Sequence, residues 1–71
     1  MIVVYKETIE NNSLFGLNQR EHIRNNKHGT IDDEMNRIRS EYGEERELIH
    51  GKLGDSMCIV YERVKWYLIR I

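Results

Sequence analysis

The sequence predicts an α+β fold in which one main helix packs on a small, mainly antiparallel sheet. Three stretches predict it: a β-branched and aromatic start, "MIVVYKETI"; a segment with an apolar stripe at helical spacing, "TIDDEMNRIRSEY"; and a dense apolar end, "MCIVYERVKWYLIRI". A helix laid on such a sheet is the simplest way to bury both apolar surfaces.

In "MIVVYKETI" an extended chain points Ile2 and Val4 to one face and Val3 and Tyr5 to the other. Apolar residues on both faces predict a strand with neighbours on either side, or one sandwiched at an interface. The next stretch, "ENNSLFGLNQREHIRNNKHG", reads less clearly. Ser13 can cap a short helix carrying Leu14, Leu17 and Ile23 on one side, with Gly29 as its stop. A polar loop with one helical turn is nearly as good a reading, because Gly16 and the asparagines weaken a helix.

"TIDDEMNRIRSEY" is the clearest element. Thr30 suits the N-cap, Asp33 falls where a capping-box acid reaches back, and Asp32, Asp33 and Glu34 favour the positive end of the helix dipole. Ile31, Met35, Ile38 and Tyr42 form one stripe. Gly43 costs about 1 kcal/mol inside a helix, yet apolar residues resume at Ile49 and Leu53. The preferred expectation is a continuous or slightly kinked helix to His50, ended by Gly51. "GKLGDS" is then a turn, and a break at Gly43 into two helices is the alternative.

The C-terminal stretch is one strand or a hairpin. Fifteen residues of unbroken strand would span roughly 50 Å, against a diameter of about 28 Å for a compact chain of this length. A hairpin with Glu62 to Lys65 as its loop is the preferred reading, since four-residue loops built on a type I turn do not demand glycine. Met57–Tyr61 and Trp66–Ile71 then become strands. In either form Trp66, Tyr67, Leu68 and Ile69 place large apolar groups on both faces. One helix and three strands cover one face, so a partner is expected to cover the other.

Size points the same way. The 71 residues are expected to form a single small domain, 1–71. Such a chain buries only about 60% of its unfolded surface, and its core rarely supplies more than roughly 3–5 kcal/mol without a staple. A single Cys excludes an internal disulfide, so a second subunit is the expected staple and a homodimer the expected state. With 11 basic and 12 acidic residues the net charge is -1, which does not fit a general polyanion binder. No segment approaches 18 apolar residues, the start lacks the marks of a signal peptide, and a lone thiol fits a cytoplasmic protein.

No catalytic, cofactor or metal motif stands out. His22 and His28 are six apart, a spacing without metal-ligand precedent, and His50 stands alone near an expected helix end. Cys58 reads as a small buried hydrophobe. Asp32-Asp33 and Glu44-Glu45 are adjacent in expected helix, so each pair diverges. No glycine-rich phosphate loop is present.

"LNQREHIRNNKHGTIDDEMNRIRSEY" followed by a hairpin has a winged-helix or helix-turn-helix outline, with Arg20, Arg24, Lys27 and His28 as a basic patch. A recognition helix meets DNA through its N-terminal residues, which here would be three carboxylates. A nucleic-acid-binding regulator is therefore the second expectation. The order strand, helical segment, helix, C-terminal strands, with "HGKLGD" ahead of "CIVYERVKWYLIRI", also resembles in outline the small RelE/ParE-type toxin fold. That resemblance implies ribonuclease chemistry through His22, His28 or nearby arginines, with no specific motif behind it.

The leading expectation is a small non-enzymatic module, a regulator or inhibitor of the size mobile elements such as phages carry, that binds another protein. Tyr5, Tyr61, Arg63, Trp66, Tyr67 and Ile69 are its candidate interface, being largely of the types enriched at interface hot spots.

Overall fold

The computed structural model describes residues 1–9 and 19–71, so the expected Ser13 cap, Leu14 and Leu17 lie outside the described residues. The described order is β1 (Ile2–Thr8), β2 (Arg20–Asn26), α1 (Ile31–Tyr42), a 3-10 turn (Glu44–Arg46), β3 (Ile49–Leu53), β4 (Ser56–Val60) and β5 (Val64–Arg70). All strand pairs are antiparallel, in one sheet of order β2-β1-β5-β4-β3. The architecture is α+β, with five strands against one α-helix among the described residues.

The expected cap is present in full. The Asp33 amide donates to Thr30 Oγ1 at 3.2 Å, and the Thr30 amide donates to Asp33 Oδ2 at 2.8 Å. These two bonds satisfy amides that a helix start otherwise leaves unpaired. The stripe buries Met35 and Ile38 against Ile2, Val4, Ile59, Tyr61, Val64, Trp66 and Leu68, with Ile31 and Tyr42 partly buried beside them. At the C-terminal end Tyr42 stacks on Tyr61, ring centroids 4.9 Å apart, and meets Trp66 edge-on.

Three expectations need correction. Helix α1 stops at Tyr42 and does not run to His50. Gly43 takes φ 87°, a backbone that side-chain-bearing residues avoid, while its amide donates to Arg39 O at 2.7 Å. Ile49 and Leu53, which looked like a resumed helical stripe, lie on β3, and "GKLGDS" is the tip of the β3–β4 hairpin with its turn at Gly54 and Asp55. Second, Arg20–Asn26 is a strand, so Ile23 belongs to no helix. The two-helix outline behind the helix-turn-helix reading and the toxin resemblance is absent among the described residues. Third, the C-terminal stretch is a hairpin as preferred, but Val64 and Lys65 already belong to β5. The Tyr61 amide donates to Val64 O at 2.8 Å, leaving Glu62 and Arg63 at the tip.

Register divides the sheet into two faces. Val4 opposes Leu68, Met57 also opposes Leu68, and Ile59 opposes Trp66; this is the face under α1. The irregularity between Val4 and Tyr5 lets Arg24 oppose Val4 while His22 opposes Tyr5. The extra residue therefore turns Arg24 and Asn26 to the helix side and Arg20 and His22 to the other.

Candidate interaction surface

The helix is held at both flanks of the sheet. On the β2 side Glu34, 1% exposed, accepts from Arg24 Nε at 2.8 Å and from Asn26 Nδ2 at 3.0 Å. Burial on its own would raise the Glu34 pKa. The hydrogen bonds from Arg24 and Asn26, with the charges of Arg24 and Arg37, outweigh it and hold the carboxyl below its ordinary value. On the β3 side Arg39 Nε donates to Glu47 Oε2 at 3.0 Å, and His50 Nδ1 lies 3.0 Å from Glu47 Oε1. The hydrogen bond to Glu47 keeps Arg39 firmly charged.

The opposite face carries no described helix. Tyr5 opposes Tyr67, Val3 opposes Ile69, and Cys58 opposes Tyr67 from β4. Tyr67 is the centre of a charged cluster. Arg20 lies over its ring at 3.9 Å and Lys65 at 5.1 Å, while its hydroxyl donates to Glu7 Oε1 at 3.3 Å. The bond with Tyr67 also raises the Lys65 pKa. Val3, Glu7 and Val60 are buried here, whereas Tyr5, Cys58, Tyr67 and Ile69 are half-buried. Cys58 is thus less enclosed than a fully buried hydrophobe, although burial still pushes its thiol pKa up.

The six expected interface residues separate into groups. Tyr5, Tyr67 and Ile69 share the face turned away from α1. Tyr61 and Trp66 are core residues under α1, each 4% exposed. Arg63 stands exposed at the β4–β5 tip. The four basic residues do not form one patch: Arg20 and Arg24 sit on opposite faces of β2, Arg24 is paired with Glu34, and Lys27 and His28 lie in the loop before Thr30. Among the described residues no three of His, Cys, Asp or Glu come together to hold a metal ion. No described helix is long and apolar enough to cross a membrane.

Sequence reasoning missed one exposed apolar group. Leu48, Ile49 and Leu53 are 64%, 56% and 73% exposed. Ile49 and Leu53 lie on β3, an edge strand, and their alternation with Gly51 opposite Cys58 puts them on the face turned away from α1. The available signal was glycine at both 51 and 54, which breaks a helix more readily than a short strand.

No protein-family model, no curated protein and no solved structure matches this chain.

Proposed function

We propose that the chain is a small, non-enzymatic protein-interaction module of regulator or inhibitor type, working as a homodimer and binding another protein. The observation that carries this reading is β3: an edge strand whose two large apolar side chains face solvent. Such an edge is a template for another strand.

The chemistry favours a second copy of β3 as the first occupant. An antiparallel pairing centred on Gly51 brings Ile49 of each copy opposite Leu53 of the other, so both exposed apolar side chains gain a cross-strand partner. The Leu53–Ser56 pair closes the two-residue turn at Gly54 and Asp55. By the alternation of an antiparallel ladder, His50 and Lys52 then direct their backbone groups away from β4. They are the residues that would exchange hydrogen bonds with the second copy. Gly51 falls at the close, non-hydrogen-bonded position, where Cα atoms approach to about 4.5 Å. The joined sheet carries Tyr5, Tyr67 and Ile69 of both copies on one surface, which is the surface offered to the other protein.

Light scattering on the eluting protein tests the dimer. The expected mass is twice the 8.6 kDa of one chain. The double variant Ile49→Lys, Leu53→Lys changes only exposed side chains and places like charges opposite each other, so it is expected to run as a monomer with unchanged circular dichroism. A wild-type mass of 8.6 kDa at about 100 μM, where even a micromolar dimer is populated, would overturn the proposal.

A further inference from the structure

The end of β1, the C-terminus of α1, the 3-10 turn and the β4–β5 turn enclose an open cleft of about 800 Å³. Its charges are one-sided: Lys6, Arg46 and Arg63 line it against a single acid, Glu62. None of these three cations has a carboxylate within ion-pair distance among the described residues, whereas Arg20, Arg24 and Arg39 all do. Lys6 Nζ stands 5.6 Å from the Trp66 ring.

Apart from Thr8, the rest of the wall is aromatic or aliphatic. Tyr42 and Tyr61, stacked on each other, line it together with the exposed Leu48. One of the lining residues carries unused hydrogen-bonding capacity: the Tyr61 hydroxyl is buried without a partner. Buried donors left unpaired are rare enough to require a reason. The groove beside Thr30 lacks this combination. Its charges balance, Asp32 and Asp55 against Lys52 and Arg70, and none of its lining residues is an unpartnered buried donor.

We propose that this cleft binds a small organic anion, a carboxylate or phosphate carried on a flat apolar body, held by Lys6, Arg46 and Arg63. Guanidinium groups match both kinds of anion through paired N–H donors. The Tyr42 and Leu48 wall takes the apolar body, and the volume falls within the roughly 300–1,000 Å³ of small-molecule sites. This site is distinct in chemistry from the strand pairing proposed for β3 and does not depend on it.

Trp66, the only tryptophan of the chain, touches two residues of the cleft wall, Lys6 and Tyr42, so its fluorescence responds to binding there. The full-length protein is titrated with adenosine 5′-monophosphate and with 1-naphthoate, which supply the phosphate and carboxylate versions of the ligand. Adenosine, which lacks the anion, and inorganic phosphate, which lacks the body, are the controls. At least one anion is expected to saturate with a half-point below about 1 mM, and each control to bind at least about tenfold more weakly. Whichever anion saturates identifies the group recognised.

The double variant Arg46→Gln, Arg63→Gln alters exposed side chains and is expected to keep its circular dichroism while losing about tenfold or more in affinity. Arg37→Gln, on the exposed part of α1, is expected to bind as wild type. The proposal is overturned if neither anion saturates by about 10 mM, or if the double variant binds unchanged.

Discussion

Glu34 is the residue whose replacement most directly tests how the helix is locked to the sheet. Glu34→Gln keeps the shape and removes the charge, leaving the Arg24 guanidinium without its carboxylate. Removing one member of a buried ion pair costs about 3–5 kcal/mol in general. Here the Arg24 side chain keeps 25% of its exposure and can recruit water, and the new amide can still accept from Asn26. The expected loss is therefore about 2 kcal/mol, out of the roughly 4–10 kcal/mol typical of a fold this size. At about 4–8 °C per kcal/mol the melting temperature falls by roughly 8–16 °C. The sign of the pH dependence follows from the lowered pKa. The carboxylate contributes fully above its ordinary value of 4.5, and that contribution fades as pH falls through the lower folded value. Urea unfolding at a fixed protein concentration, at neutral pH and down through the acidic range, measures both effects. The gap between wild type and Glu34→Gln should be widest at neutral pH and close on acidification. A variant within about 0.5 kcal/mol of wild type at pH 7, inside the range of ordinary surface substitutions, or a gap that persists in acid, refutes the reasoning.

Two further substitutions probe the other end of the helix, where Gly43 and Tyr61 lie. Gly43→Ala forces a side chain onto φ 87° and sets its Cβ 2.7 Å from Glu45 Oε1, which can swing away. The remaining backbone strain is expected to cost about 1–2 kcal/mol in urea unfolding, and a neutral result would mean the helix can end elsewhere. Tyr61→Phe removes a buried hydroxyl that has no partner. Stability should hold or rise by up to about 1 kcal/mol, and a loss of that size would reveal a hydrogen bond to Tyr61.

The elements that were legible in the sequence are those whose instructions are local. Thr30 and Asp33 mark the helix start within one turn, and the packing of "MIVV" and "WYLI" marks strands by composition alone. β2 was illegible because "REHIRNN" has only one apolar residue. It is a strand because Arg24 and Asn26 meet Glu34, ten and eight residues away, and because β1 offers it an edge. β3 was misread for a different reason. Tyr42, Ile49 and Leu53 happen to keep helical phase, and periodicity cannot show that Gly43 has already turned the chain. Of the candidate site, the tyrosines on the face turned away from α1 were legible as residue types. The cleft was not, because Lys6, Arg46 and Arg63 come from three separated parts of the chain.

The two sheet edges are treated differently, and that difference bears on what an association through β3 could build. β2 carries Arg20, Glu21, His22 and Arg24 along its length, the charged pattern that discourages strand addition. β3 carries Lys52 as its only constant charge and leaves Ile49 and Leu53 in solvent. A chain with two receptive edges could add copies without end, as open heterologous contacts do. A pairing of β3 with itself about a two-fold axis at Gly51 consumes the receptive edge of both copies at once. Among the described strands, the outer edges of such a pair would then be the two charged β2 strands, so growth would stop at the dimer. The same distribution of charge that made β2 look like a loop in the sequence is what would keep such a sheet finite.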